Sequence, residues 1–182
     1  MDLTGAIRRH PGRTAVLVAV AGAAVVAGFL WFRPDRLITD REVSEPLPGA
    51  ESAPMGAMPA EEPAGDGVAA PTTVASGKFV SLEHDTRGMA LVVETGARRF
   101  LRFEGFETSD GPDLLVYLSA KEPAGSDDWY GYDQDFVDLG ELKGNVGNQN
   151  YGIPANVDLD RYSTAVVWCR RFEVGFAAAV LQ

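Results

Sequence analysis

From Thr14 to Phe32 the chain reads TAVLVAVAGAAVVAGFLWF, 19 residues without a charge. At 1.5 Å rise per residue a helix of that length reaches roughly 28 Å, about the thickness of a bilayer's hydrocarbon core. Trp31 and Phe32 close the run where aromatic rings favour the membrane interface, and Arg33 follows. A cleaved signal peptide has a shorter apolar region, usually about 7–15 residues, followed by a small-x-small site. Here the run is longer and ends on bulky Phe29-Leu30-Trp31-Phe32. The pattern predicts an uncleaved signal-anchor helix over 14–32 behind a short tail, 1–13, with the lipid bilayer as its partner. Arg8, Arg9 and Arg13 precede the span and Arg33, Arg36 and Arg41 follow it, so the positive-inside count is tied. The short tail is the cheaper side to leave in the cytoplasm. The expected placement is a single-pass cell-membrane protein with an extracytoplasmic C-terminal part.

The pattern then collapses. Residues 33–75 make a juxtamembrane segment and a linker rich in Pro, Ala, Gly and Glu. Residues 42–75 contain six prolines and no aromatic residue. Proline blocks helix and sheet, and too few large apolar groups are present to offset the entropy of ordering. A disordered linker is expected there. With coil statistics its ends lie roughly 30 Å apart or somewhat more, holding the next domain off the bilayer.

From Ser76 onward short runs of period two are bounded by turn residues. Strands are expected near 77–83, 88–94, 98–104, 113–119, 136–142, 164–170 and 172–176. The runs MALVV, FLRFEGF, LLVYL and TAVVWC are β-branched or aromatic and too short for helices. Thr95-Gly96, Asp110-Gly111-Pro112, Pro123-Ala124-Gly125 and Gly144-Asn145 supply turns. The fold class read from this is all-β: an antiparallel β-sandwich over 76–182, preceded by a single transmembrane helix and a disordered linker. Within it, Trp168, Phe172, Val174 and Phe176 share even parity and read as the core face. Cys169 then falls on the opposite face with Arg171 and Glu173, unless Arg170-Arg171 marks a bulge or turn.

Charge narrows the function. The chain carries a net −10, and residues 76–182 hold 17 acidic against 10 basic side chains. Such a surface repels phosphate backbones and argues against nucleic acid as a partner. One cysteine excludes an intramolecular disulfide.

The blocks GKFVSLEH (77–84), FEGFETSDGPDLLVYL (103–118), LGELKGNVGNQNYGIP (139–154) and VVWCRRFEVGFAAAVL (166–181) occur in one order across almost the whole domain. In them residues 76–182 resemble the electron-transfer DM-13 domain, an extracytoplasmic β domain also found beside cytochrome-related DOMON domains. The resemblance implies a redox or electron-transfer role centred on Cys169, with His84 of the first block beside it. The anchor and linker lie outside the resemblance.

His84 and Cys169 are the sole histidine and cysteine of this domain. A neighbouring imidazolium would lower the thiol pKa and make a thiolate, redox group or soft-metal ligand. Two ligands are too few for a closed zinc site, and no CxxCH haem attachment is present. The alternative is a structural thiol and a surface histidine. In GNVGNQNYGIP, Asn148, Asn150 and Tyr151 are candidates to rim a cofactor site; otherwise they satisfy their own loop's backbone. That segment lacks the setting of a phosphate loop. Asp113 reads as a turn cap. The aspartates of SDDWYGYDQD (126–135) lack calcium-loop spacing and read as a solvated, variable loop, with Trp129, Tyr130 and Tyr132 available to a partner. No Ser-His-Asp order, carboxylate dyad or HExxH appears, so hydrolase chemistry has no support, and a stand-alone enzyme is not the expectation. The sequence identifies no cofactor. Two functions compete: a membrane-anchored redox or electron-transfer domain with a redox or cell-surface protein partner, and a non-catalytic cell-surface binding or adhesion module. A lipid or small-ligand binder using the sandwich interior ranks third.

Overall fold

The computed structural model describes residues 11–32, 40–49 and 70–182. Pro11–Phe32 forms a 22-residue helix, α1. Proline suits its first turn, where an N–H would have no partner. Of its side chains, those of Ala15, Val16 and residues 18–27 are described, and all are exposed. Among the described residues no helix is long and apolar enough to cross a membrane. The ends of the expected span, which supply its aromatic boundary, have side chains outside the described residues.

Ten strands follow: β1 (Glu42–Ser44), β2 (Thr72–Lys78), β3 (Val80–Ser81), β4 (Arg87–Thr95), β5 (Arg98–Glu107), β6 (Leu114–Ser119), β7 (Phe136–Glu141), β8 (Val146–Ile153), β9 (Thr164–Cys169) and β10 (Val174–Val180). They make two five-stranded sheets, ordered β1-β8-β5-β4-β2 and β3-β10-β9-β6-β7. The all-β expectation holds, with one departure: β1 runs parallel to β8 while the other pairings are antiparallel.

The inner faces enclose one core. Ala90, Val92, Leu101, Phe103, Phe106 and Tyr151 of the first sheet meet Leu114, Val116, Leu118, Val167, Phe176 and Ala179 of the second. A bulge in β5 between Phe103 and Phe106 turns both rings inward despite their three-residue spacing. Phe79 packs edge-on against each, with centroids 4.9 and 5.2 Å away.

The central strands of the second sheet, β6, β9 and β10, are buried on both faces. Their outer side chains Leu115, Tyr117, Val166, Trp168 and Ala178 form a second cluster with Leu82, Tyr132 and Trp129. The cover is the segment expected to be a solvated loop. Tyr132 is fully buried, Ser119 Oγ donates to its carbonyl at 2.9 Å, and Lys121 Nζ lies 4.1 Å from its ring centre. Gly175 N–H donates to the Trp129 carbonyl at 2.6 Å. Of the three aromatics offered to a partner, Tyr130 alone is largely exposed.

The stretch expected to be linker is docked at its start. β1 adds to the β8 edge, and its neighbours multiply the attachment. Arg41 N–H donates to Asn145 Oδ1 at 2.6 Å, and Asn145 Nδ2 donates to Asp40 Oδ1 at 2.8 Å. Glu45 receives Lys143 Nζ and the Asn150 amide, each at 2.7 Å. Arg102 Nη1 donates to the Glu45 and Pro46 carbonyls. Together, ion pairing and two donated hydrogen bonds hold the Glu45 carboxyl below the usual carboxylate range against the opposing effect of its burial. Glycine makes this approach feasible: a Cβ on Gly144 would strike the Arg41 carbonyl, and one on Gly147 the Val43 carbonyl. Replacing Gly144 by Ala should therefore detach residues 40–49 while leaving the sandwich folded. Limited proteolysis should then cut within 40–49 at least severalfold faster than in the parent chain, with unchanged far-ultraviolet circular dichroism.

Candidate functional site

At one end of the second sheet three connections converge: the turn between β3 and β4, the loop between β5 and β6, and the turn between β9 and β10. Together with β10 they frame a cleft of about 290 Å³ lined by Glu83, His84, Asp110, Gly111, Pro112, Phe172, Val174 and Phe176.

The first turn is pinned to β10, since Leu82 N–H donates to the Phe176 carbonyl at 3.0 Å and Glu83 N–H to that of Gly175 at 3.3 Å. Ser81 Oγ accepts the Thr86 N–H at 2.9 Å, and Thr86 Oγ1 donates to the His84 carbonyl at 3.0 Å. So held, the half-buried His84 ring lies on Phe176 with centroids 3.9 Å apart.

On the facing loop, Asp110 is buried, its side chain 3% exposed. Its Oδ1 accepts the Gly111 N–H at 2.8 Å and Arg41 Nη2 at 3.3 Å. Its Oδ2 is buried with no hydrogen-bond partner among the described residues. A buried acceptor without a partner costs free energy, so this atom marks where a ligand or water belongs.

The third connection covers the thiol. β9 ends at Cys169 and residues 170–173 turn into β10, with Glu173 at φ 56°. The conditional turn at Arg170-Arg171 is therefore the one realised, and the parity count does not run through it. Cys169 is fully buried, on the inner face with Ala165 and Val167, whereas Trp168 lies on the outer face and Phe172 is 55% exposed. The expected assignment of faces is thus reversed for Trp168 and Cys169 and fails for Phe172, while Val174 and Phe176 lie in the core as expected. It fails because a strand buried on both sides carries no alternation to read. Burial pushes the Cys169 thiol up from its ordinary value, while backbone N–H groups at Phe172, Arg171 and Asp113 act in the opposite direction. Arg170 clamps the turn in a two-pronged pair with Asp113, Nε to Oδ2 at 3.0 Å and Nη2 to Oδ1 at 3.1 Å. Asp113, expected to cap its own turn, closes the lid above the sulfur instead.

His84 is not among the groups bearing most on the thiol. Both residues adjoin β10, His84 on the cleft side through Phe176 and Cys169 opposite Val174 in the β9–β10 register. Asn148 and Tyr151 stand apart on β8 in the other sheet. Asn148 Oδ1 accepts the Gly105 N–H at 2.8 Å. Tyr151 is buried against Phe103, donates to Gln149 Oε1 at 2.7 Å and accepts the Lys143 N–H at 3.2 Å. Both serve the backbone and core of their own region. Among the described residues no three His, Cys, Asp or Glu side chains are grouped to hold a metal ion. Asp110 and Arg41 went unnoticed in the sequence because they are brought together by β1 docking, 69 residues apart; the signal available was only the Asp110-Gly111-Pro112 turn.

Residues 78–181 match the sequence model of the family described as electron transfer DM13. No curated protein and no solved structure matches the chain.

The thiol's environment sets a pH dependence. With its folded-state pKa raised, the unfolded chain loses the proton first. Stability is then fully present below about pH 8.5, the ordinary thiol pKa, and falls as pH rises toward the folded value. Tyr117, pushed up to about 12 mainly by burial, adds the same sign above pH 10. Urea midpoints measured from pH 8 to 11 should decline from about pH 9, and Cys169→Ala should lose the earlier part of that decline but keep the later one. Asp113→Ala, by loosening the lid, should speed alkylation of native Cys169 severalfold at pH 8.

Proposed function

Since the chain belongs to the electron transfer DM13 family, we propose that it is a membrane-tethered, extracytoplasmic electron-transfer domain with Cys169 as its redox group. What supports the cysteine's part is the place of this sole cysteine, buried at the end of β9 under the 170–173 turn, where burial raises the thiol's pKa and backbone donors of Phe172, Arg171 and Asp113 act in the thiolate's favour. Such donors stabilise sulfur when it is electron-rich, the condition a redox sulfur must reach. The same geometry sets a condition on the role. A protonated thiol under a clamped turn is shielded from direct thiol–disulfide attack, which needs an accessible thiolate. Exchange at Cys169 therefore proceeds with the Arg170–Glu173 turn lifted or through the Phe172–Phe176 side of the cleft. Its partner is a redox protein or carrier small enough to meet that end of the second sheet.

The tether is supported by the charge-free run over 14–32 and by the valines of α1, exposed at positions 16, 18, 20, 25 and 26 around the helix rather than along one stripe. Docking of residues 40–49 shortens it. The chain leaving Phe32 reaches the domain at Asp40, roughly 25–30 Å at full stretch, so the sandwich is held near the bilayer rather than carried away on a 43-residue linker.

A second reading, a non-catalytic cell-surface binding module, is favoured by the complete burial of Cys169 and by a His84 that stacks on Phe176 instead. Redox titration of the full chain separates the two, with visible spectroscopy and metal analysis alongside. Electron loss from the Cys169 thiol to an added disulfide, forming a mixed disulfide and releasing the other half as thiol, is the expected result and should disappear in Cys169→Ala. Identical redox inertness of both proteins would abandon the electron-transfer role in favour of the binding module. For the tether, the chain should resist alkaline carbonate extraction from membranes and become extractable when residues 14–32 are deleted. External protease should reach the sandwich domain in intact cells.

A further inference from the structure

The cleft beside His84 has features that no electron-transfer role requires, and they define a ligand. Its walls are apolar and aromatic: Phe176 with the His84 ring on it, Phe172 half out in solvent, and Pro112 with Val174. At about 290 Å³ it is at the lower end of the range for small-molecule sites, room for one ring rather than a chain or a dinucleotide. Two polar atoms of the Arg41–Asp110 pair are buried without partners, Arg41 Nε and Asp110 Oδ2, and of the two residues Asp110 lines the cleft, its side chain 3% exposed. A carboxylate oxygen accepts and cannot donate, so the missing partner is a donor. Charge selects which donor. Arg41 already pairs with Oδ1 of the same carboxylate at 3.3 Å, offsetting its negative charge. A second cation there would be repelled by the guanidinium, whereas a neutral O–H would not.

We propose that this cleft binds a small neutral aromatic ring carrying a hydroxyl group, a phenol, with its O–H donating to Asp110 Oδ2 and its ring between Phe172, Pro112 and the His84–Phe176 stack. Binding of this kind needs no electron transfer and stands whether or not Cys169 is a redox group. Gly111, which also lines the cleft, packs closely on the Phe176 wall, since a Cβ there would press on Leu114 and on Phe176 Cζ at 3.1 Å. Phe172, exposed in the turn above the thiol, is the wall that moves most cheaply.

The test uses the ¹⁵N-labelled full chain in detergent micelles, titrated with p-cresol, with toluene as a probe of equal shape lacking the hydroxyl, and with benzylamine as the cationic counterpart. Amide shifts at Gly111, Val174 and Phe176 report the site itself, which keeps partition into micelles out of the reading. A hydrogen bond to a charged acceptor corresponds to about tenfold or more in affinity, so p-cresol should saturate those shifts at least about tenfold below toluene. Asp110→Asn should bring the two probes within about twofold of each other, by the same hydrogen-bond difference. Phe172→Ala, at an exposed position that folding does not depend on, should weaken both together. Equal affinity of p-cresol and toluene in the parent chain would overturn the assignment, and that comparison needs no variant. So would tighter binding of benzylamine than of p-cresol, shifts centred elsewhere on the domain, or no saturable shift up to the solubility of p-cresol.

Discussion

The constraint on which the rest of this domain depends is that β6 and β9 are buried on both faces. All six residues of each are buried. Neither strand has a side to give to water, so the domain needs a second covering layer besides the opposing sheet. That layer is the segment from Lys121 to Asp135, which seats Tyr132 and Trp129 over Leu115, Tyr117 and Trp168. Full burial of a large apolar side chain contributes roughly 1.5–3 kcal/mol. The outer cluster is thus comparable in worth to a large share of a typical domain's net stability. Its acidic residues are consistent with this: Asp128 receives Lys121 Nζ at 2.5 Å and the Ala124 N–H at 3.0 Å, anchoring the cover by its polar side.

With both faces of the second sheet's central strands occupied and the first sheet's inner face packed against them, chemistry is displaced to the ends of the strands. There the turns meet and backbone donors run out of ladder partners. The thiol under the Arg170–Glu173 turn and the cleft beside His84 are two products of that one geometry, on the two sides of β10. The thiol is sealed, and the cleft is open. Val174 belongs to both, packed in the core with Cys169 and lining the cleft.

Much of this was legible in the sequence, and the failures have physical causes. β4 and β5 were readable to within a few residues from their β-branched and aromatic runs, although Val93 and Arg102 are buried beside their core-facing neighbours. β9 was found, but its faces were not, because TAVVWC is apolar throughout and parity carries information only when one side is wet. β8 was read as a loop. Its sequence, VGNQNYGI, offers Tyr151 and Ile153 to the core and spends the other positions on polar work: Gln149 bonds both backbone groups of Gly144, Asn150 holds Pro46, and Gly147 leaves room for Val43. A strand that must accept a parallel neighbour at close range looks like a turn. β1 was invisible for the complementary reason. Three residues, Glu-Val-Ser, have no pattern of their own and become a strand only against β8.

The docked segment also bears on the cleft. Arg41 lies in it, immediately before β1, and its guanidinium supplies the cation beside the buried Asp110 carboxylate. Undocking residues 40–49 would remove that cation and leave a buried charge uncompensated, a state far costlier than loss of an exposed ion pair. Attachment of the segment and the condition of the cleft are therefore one equilibrium. Linkage makes the coupling reciprocal: a ligand that favours the paired form of Asp110 holds the segment down, and a pull on the segment from its N-terminal side loosens the ligand by the same factor. The connection follows from two groups 69 residues apart in sequence and 3.3 Å apart in space. It places Arg41 of the docked segment in direct electrostatic contact with a carboxylate lining an apolar cleft at the end of the second sheet.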